Sequence, residues 1–320
     1  MVRKVWSFTS FRRSGIGSWW TRSCTSDASW TETPEDEPVM SSTARRVRRL
    51  VPNMALRVRH VEAGSYLWVR LRHHLGLIAR GARAYEARYV EALRLCVEPG
   101  DVVFDVGANI GFYAILFSRW VGSAGRVFAY EPDPDNVRLL RKNLDANRCA
   151  SCVVRPMALG ATCGVSTFSR DVVTGQTGHT GTGPTYGELQ FRTGKEIPIE
   201  VRLRTLDAEI DRAAAVPDVV KLDAEGAEYE ILSGGMRALR EHRPLIVAET
   251  SNWRYEMSQG VRPARASIEL LRELDYVVFD LDRGAPVGPS DQPWMVLAIP
   301  AERRRETRAA RVLAAMTGST

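Results

Sequence analysis

Apolar positions along this chain fall into two rhythms that take turns. Val102, Val103 and Phe104 form a short continuous apolar run, as strands buried on both faces do. The segment 110–120 then repeats its apolar residues at helical spacing, and the same exchange recurs with a strand at 126–130, a helix at 134–147 and a strand at 152–155. An extended piece at Val165–Phe168 precedes Val172–Pro198, which is rich in Gly and Thr and predicts a long loop. The alternation resumes with an extended run at Glu200–Leu203, a helix-capping Thr205-Leu206-Asp207, a strand at Val219–Asp223, a helix at Ala227–Arg240 and a strand at Leu245–Glu249. A helix at about 264–274, β-rich segments at Tyr276–Leu281 and Trp294–Ile299, and a basic helix at Arg303–Met316 complete the pattern. Strands alternating with helices imply an α/β domain with a mostly parallel sheet and helices on both faces.

Upstream, Leu71, Leu75, Ile78, Ala82, Tyr85, Tyr89, Leu93 and Cys96 step by four or three residues, so a helix bent at Gly76 and Gly81 is expected from Leu67 onward. His73 and His74 are adjacent and cannot share one helix face, which argues against a metal pair. Residues 1–45 show no periodicity. The expected organisation is a disordered tail at 1–45, a helical extension at 46–97, the α/β domain at 98–300, and a basic helix and tail at 301–320.

Candidate chemistry gathers where strands end. Val102–Asp105 runs into Gly107-Ala108-Asn109-Ile110-Gly111, where two residues without Cβ allow a sharp turn and close approach of a ligand to backbone N–H groups. Glu131 lies twenty residues after Gly111 at the end of the next strand, a position that suits the hydroxyls of a ribose. A nucleoside-containing cofactor follows. The loop lacks the middle glycine of G-x-G-x-x-G, so no cradle for a diphosphate is evident; a nicotinamide-dependent (NAD(P)) oxidoreductase is the alternative. Asp223 and Glu249 end two more strands, so four carboxylates converge on the carboxyl edge, where open α/β sheets bind ligands.

Together with Glu131-Pro132-Asp133-Pro134, Asn143-Leu144, Thr205-Leu206-Asp207 and Lys221-Leu222-Asp223-Ala224-Glu225-Gly226-Ala227-Glu228, the stretch from Glu98 to Thr250 resembles the FkbM-type family of S-adenosylmethionine-dependent O-methyltransferases. The resemblance implies a class I, Rossmann-like sheet of seven strands whose last strand runs antiparallel. It assigns Gly107 to Gly111 to the methionine part of the cofactor, Asp105 to its ammonium or to loop ordering, Glu131 and Pro132 to the ribose edge, and Met157 and Ala158 to the adenine. Asn109 either points its amide at the cofactor or caps the helix. Asp223 and Glu225 are the candidate base or charge stabiliser for an acceptor hydroxyl, with Lys221 as the nearby cation; the competing reading has Asp223 ordering the turn and contacting the cofactor amine. Asp223 with Glu249 could also hold a divalent metal, a reading not favoured without a third ligand. Glu228 is expected to be structural, at the positive end of a helix. By resemblance the acceptors are hydroxyls of sugars, glycolipids or secondary metabolites, approached from the N-terminal helix, the Gly/Thr loop and Ser251 to Pro263, where Trp253 and Tyr255 stack on a sugar or belong to the core. His179, in the loop, is a second candidate base. Glu131→Ala is expected to weaken cofactor binding with little change in fold.

Composition changes little in this picture. The 320 residues carry a net charge of +6, yet Lys occurs at only four positions and the arginines are interleaved with acids, which fits solvated helix faces better than a nucleic-acid partner. An RNA methyltransferase is the weaker alternative: no Asn/Asp-Pro-Pro-Tyr motif and no aromatic-basic stacking stretch is present. Five cysteines, an odd number, oppose a secreted disulfide framework, and Cys149-x-x-Cys152 has no partner pair for zinc; the two are expected to flank the third strand. No apolar window is long enough to span a bilayer and no signal core follows Arg12-Arg13, so a cytoplasmic protein is expected. The oligomeric state is not legible.

Overall fold

In the computed structural model, residues 50–60, 64–81, 86–173, 175, 177–179, 195–250, 263–304 and 306–317 are described. The 1–45 tail, the centre of the Gly/Thr-rich stretch, Trp253 and Tyr255 lie outside them, and of His179 only the backbone is described.

The central sheet collects β3 (Val102–Val106), β4 (Arg126–Tyr130), β5 (Cys152–Arg155), β10 (Val219–Leu222), β11 (Leu245–Glu249), β12 (Tyr276–Asp280), β13 (Ala285–Pro286) and β14 (Met295–Pro300) in the order β13-β12-β14-β11-β10-β3-β4-β5. β11, β10, β3, β4 and β5 are mutually parallel, and β14 enters antiparallel between β11 and β12. The expected architecture stands, with a mostly parallel sheet and an antiparallel last long strand. The count is eight rather than seven, because the two-residue β13 pairs on the edge of β12.

Neighbouring residues on these strands serve opposite cores, as the two-residue period demands. Val103, Val127, Val219 and Val247 pack on one side with α2 (Ala87–Cys96) and α3 (Phe112–Val121). Phe104, Phe128, Val220 and Ile246 pack on the other with α5 (Leu206–Ala213), α6 (Glu228–Ser233) and α7 (Pro263–Glu273). The helix expected over Ala227–Arg240 is broken: α6 stops at Ser233 and a π-helical turn covers Ala238–His242. The cause is close packing, since a Cβ on Gly234 would lie 2.2 Å from the Gly160 carbonyl oxygen, and one on Gly235 would lie 2.6 Å from Leu206.

A second sheet was not anticipated. β6 (Ala158–Leu159), β7 (Gly164–Asp171), β8 (Thr177–His179) and β9 (Glu196–Arg204) order as β6-β9-β7-β8, so the expected loop is strand at both of its ends. Asp133 ties this sheet to the first. Its buried carboxylate caps α4 (Pro134–Ala146) by accepting the N–H groups of Asp135 and Asn136, and it also accepts from Arg170 at 3.2 Å and from the Thr177 hydroxyl at 2.9 Å.

The extension is not helical throughout. β1 (Ala55–Arg59) and β2 (Tyr66–Arg70) form an antiparallel ribbon, followed by α1 (Leu75–Arg80) and α2. The helical period that begins at Leu71 hides the alternation of Tyr66 to Arg70, in which Leu67 and Val69 are buried while Tyr66 and Trp68 are half-buried. Asn143 and Asn147 hold the ribbon. The Asn143 amide accepts the Trp68 N–H at 2.7 Å and donates to the Trp68 carbonyl at 3.0 Å; Asn147 repeats the pair on Tyr66. One helical turn advances 5.4 Å and two strand residues advance about 6.6 Å, close enough for two helix amides to imitate a neighbouring strand. Asn143 also donates to Ile110 in the glycine loop. Asn143→Ala is expected to cost about 2–4 kcal/mol, because several peptide groups lose their partner at once. Amide exchange should show protection lost at Leu67 to Arg70; undiminished protection would refute this account of the ribbon.

At the other end α8 (Thr307–Thr317) docks through Arg308, which donates to Glu98 at 3.0 Å and Asp101 at 2.9 Å. The helix expected from Arg303 starts only at Thr307, after a separate 3-10 turn at Ala301–Arg303, and the Arg308 charge serves internal ion pairs. Cys149 and Cys152 flank the start of β5, as expected, and both are free thiols.

Candidate active site

The strand-end carboxylates share a face as well as an edge. Counting by twos from the buried valines, Asp105, Glu131, Asp223 and Glu249 carry the parity of the core that α2 and α3 cover, and so does Lys221. Registry sets Lys221 directly beside Asp105 on the neighbouring strand.

Lys221 is 1% exposed, and its Nζ stands 3.1 Å from Asp223 Oδ2, 3.6 Å from Asp105 Oδ1 and 4.9 Å from the centre of the Tyr113 ring. Burial would pull its pKa down, but Asp223 and Asp105 outweigh that and hold the ammonium protonated well above the usual lysine range. For Asp223, burial works against ionisation and loses: Lys221 and a hydrogen bond with Glu249 bring it below the ordinary aspartate value. Its side chain is 30% exposed, so this carboxylate can meet a ligand. Asp105 is fully buried, burial raises its pKa, and neither of its oxygens has a hydrogen-bond partner among the described residues. Lys221 at 3.6 Å is its ion-pair partner, and the hydrogen-bonding capacity left over fits a further cationic ligand.

The glycine loop is held mainly by its own chain. The N–H groups of Gly107 and Ala108 both donate to the Tyr130 carbonyl, at 3.0 and 2.9 Å, and Asn109 N–H donates to Glu131 Oε2 at 2.9 Å. Gly107 has φ +78°, and a Cβ there would lie 1.8 Å from the Asp223 carbonyl oxygen. Its lack of a side chain, attributed from sequence to ligand approach, is required first by the end of β10. Asn109 is left-handed (φ 47°) with an exposed side chain. It does not cap α3: that position belongs to Gly111, with no side-chain cap.

Glu131 is buried and accepts from Asn109 N–H, Asp133 N–H and the Asn136 amide. Burial lifts its pKa to about 7 against these hydrogen bonds. Truncation at Glu131 would remove three hydrogen bonds that hold the loop as well as any ribose contact. Pro132 beside it is half-buried. Met157 packs into the core with Phe104 and Tyr130, and Ala158 belongs to the small core of the second sheet with Phe168 and Val201.

Beyond β10, Glu225 (φ 53°) and Gly226 (φ 101°) form a left-handed turn. Glu225 is half-buried there, two residues beyond Asp223. Glu228 Oε1 accepts from Ala224 N–H at 2.8 Å and Gly226 N–H at 3.4 Å, so its role is to close the turn; burial lifts its pKa to about 7. Among the described residues no group of three His, Cys, Asp or Glu side chains is arranged to hold a metal ion, and the cation facing Asp223 is the Lys221 ammonium.

Sequence reasoning missed Tyr113, Glu86 and Tyr89. Tyr113, in the first turn of α3, lays its ring against Lys221 and donates its hydroxyl to Glu86. Tyr89 donates to both oxygens of Asp282, at 3.2 and 3.0 Å. The available signal was the i, i+3 spacing of Glu86 and Tyr89 at the start of α2.

Comparison with known proteins agrees with this geometry. The profile of the Methyltransferase FkbM domain matches residues 105–278, more than half of the chain. The chain is 32% identical over 205 residues to the hexuronic acid methyltransferase AglP of Haloferax volcanii, covering 59% of this chain and 75% of that protein. It is 26% identical over 229 residues to the 2-O-methyltransferase NoeI of Sinorhizobium fredii, covering 68% and 93% respectively. A crystal structure of a putative O-methyltransferase from Klebsiella pneumoniae aligns with a TM-score of 0.44 at 15% identity, over 71% of this chain and 85% of that one. The glycine loop and strand-end glutamate fit a methyltransferase or a dinucleotide enzyme alike, and the family match over more than half of the chain decides against the oxidoreductase alternative: the chain belongs to the FkbM family of S-adenosylmethionine-dependent methyltransferases.

Proposed function

We propose that this enzyme methylates a hydroxyl oxygen of a sugar, free or carried on a glycolipid, or of a hydroxylated secondary metabolite, with Asp223 as the group that receives the acceptor's proton. The observation that carries the reading is the ionised, partly exposed Asp223 held by a buried Lys221 at the carboxyl edge of the sheet. The names of the two relatives, which act on a hexuronic acid and at a 2-O position, favour the sugar.

S-adenosylmethionine supplies an already activated methyl group, so the protein's task is placement and proton handling. Asp105 is assigned to the cofactor's ammonium: its oxygens make no hydrogen bond among the described residues, and beside its ion pair with Lys221 at 3.6 Å they retain capacity for a second cation. Glu131 is assigned to the ribose hydroxyls, the Gly107 to Gly111 loop to the methionine part, and Met157 and Ala158 to apolar contact with the adenine. Asp223 is a weak base toward a resting alcohol. As the new O–C bond forms, however, the hydroxyl proton becomes strongly acidic, and an ionised carboxylate within hydrogen-bond reach accepts it. Lys221 keeps Asp223 ionised and oriented, and Glu225 stands at the mouth of the turn as the alternate acceptor of that proton.

Calorimetry with S-adenosylhomocysteine and with NADH should give micromolar binding of the former alone. Isotope-labelled S-adenosylmethionine offered with neutral pyranosides and hexuronic-acid glycosides should then label a ring hydroxyl. Label on nitrogen or carbon, or none on any sugar by a protein that binds the cofactor, would overturn the acceptor assignment. Ribose hydroxyls donate more strongly to a carboxylate than to a carboxylic acid, which has one acceptor oxygen fewer and an O–H of its own, so protonation of Glu131 weakens binding. Affinity for S-adenosylhomocysteine should therefore fall as the pH drops below about 7, by up to about tenfold per pH unit, and level off above it. A flat profile between pH 5 and 8 would remove Glu131 from the ribose site. Among the described residues no helix is long and apolar enough to cross a membrane.

A further inference from the structure

Glu86 lies outside the segment that matches the family, and its side chain nevertheless reaches the centre of the site. It occupies the N-cap position of α2 with a left-handed backbone, φ 50° and ψ 32°, and its carboxylate does not cap that helix. A non-glycine residue in this region is disfavoured by about 1 kcal/mol or more and persists where its surroundings hold it. One of the contacts that hold Glu86 is the hydroxyl of Tyr113, whose hydrogen bond its carboxylate accepts. The Tyr113 ring is 6% exposed and turns its face to Lys221 Nζ at 4.9 Å, a cation–π geometry that weights the ammonium toward the ring. The groups facing Lys221 thus come from four elements: Asp105 on β3, Asp223 just beyond β10, Tyr113 on α3 and Glu86 at the head of α2.

We propose that Glu86, acting through Tyr113, is a positioning residue for methyl transfer: it locks the aromatic ring over Lys221 so that the ammonium stays on Asp223 and Asp105. The extension before the family-matched segment is by this reading part of the active site. Its first α2 turn also sends Tyr89 to Asp282, which anchors the same turn to the loop after β12. Without the Glu86 carboxylate the Tyr113 hydroxyl loses this acceptor, the hold on the ring loosens, and Lys221 loses one of the carboxylates that face it. Burial favours the neutral amine at Lys221, so each lost carboxylate brings its pKa down.

The proposal rests on the assignment of Asp223 as proton acceptor only for its effect on turnover; the Lys221 environment can be measured without an acceptor. The chain has four lysines, so nitrogen-labelled lysine NMR resolves the buried ammonium from the others. In Glu86→Gln and in Tyr113→Phe, the Lys221 ammonium signal should shift and its proton exchange with water at a fixed pH should quicken about tenfold, the counterpart of a hold on the proton weaker by about one pH unit. Circular dichroism should show the parental fold. Glu86→Asp should return the signal part of the way. An unchanged Lys221 signal and exchange rate in both folded variants overturns the proposal. If both variants unfold, Glu86→Asp, which keeps the charge and shortens its reach to the Tyr113 hydroxyl, decides it: a fully parental Lys221 signal and exchange rate there overturns it as well. Asp223→Asn, measured for turnover alongside, separates the two ideas. Loss of turnover in Asp223→Asn with no change at Lys221 in the Glu86 and Tyr113 variants refutes only the positioning role; full turnover in Asp223→Asn refutes the assignment of Asp223.

Discussion

Asp223→Asn is expected to give a folded protein that still binds S-adenosylhomocysteine and transfers methyl groups about 10²–10⁴-fold more slowly. The amide fills the same volume and can still meet Lys221 Nζ, now 3.1 Å away, through its oxygen, so the turn beyond β10 keeps its shape. What it lacks is a site for a proton. The barrier rises because the acceptor hydroxyl must lose its proton to water or to a less favourably placed group. Removing one charge beside a buried lysine also lowers the Lys221 pKa, with Asp105 at 3.6 Å as its remaining carboxylate neighbour in the pair. A denaturation midpoint within a few degrees of the parent, cofactor affinity within severalfold and a collapse of turnover together would identify chemistry as the step affected. Unaffected turnover would assign Asp223 to ordering the turn.

Gly107→Ala is expected to be the more destructive change, by a route unconnected with chemistry. The new Cβ would stand 1.8 Å from the Asp223 carbonyl oxygen, a backbone atom that cannot swing aside, on a residue already at φ +78°. Either β10 separates from β3 at its carboxyl end or the loop abandons its hydrogen bonds to the Tyr130 carbonyl. Both outcomes dismantle the site, and the cost is about 4 kcal/mol or more. Cofactor binding should vanish while the thermal midpoint falls by several degrees or more. Gly76→Ala is the control: nothing lies within 4 Å of its added Cβ and the position is helical, so stability should hold or rise by about 0.5–1 kcal/mol. An intact, binding-competent Gly107→Ala protein would mean that the close approach of loop and strand is not required.

Much of this fold was legible in order along the chain. Val102–Asp105, 126–130 and 152–155 are strands because they are apolar on consecutive residues, and consecutive residues serve the two cores on either side of one sheet. The helices at α3, α4 and α7 announce themselves by period. Reading failed where a local signal was shared between two structures. Tyr66 to Arg70 reads as the start of a helix because Leu71 onward has helical spacing, yet its pairing with Ala55–Arg59 and with two asparagine amides makes it a strand. The segment 227–240 reads as one helix, and contacts of Gly234 with Gly160 and of Gly235 with Leu206, more than 25 residues away in sequence, break it.

The sequence by itself determined the class of fold, the glycine loop, the four strand-end carboxylates and the lysine among them, because alternation, turn chemistry and spacing are local properties that a linear chain displays. Tertiary structure alone decided which of those groups meet. Strand registry sets Lys221 beside Asp105, the two-residue parity of four separate strands turns all four carboxylates to the face under α2 and α3, and the fold of an unmatched extension brings Glu86 against Tyr113. It also reassigned roles, with Gly107 making room for the Asp223 carbonyl and Asn143 serving as a substitute strand edge. These are relations between residues up to 144 positions apart, from Asp105 to Glu249. No window of the sequence contains them, and a sheet closed by non-local pairing is where such relations are made.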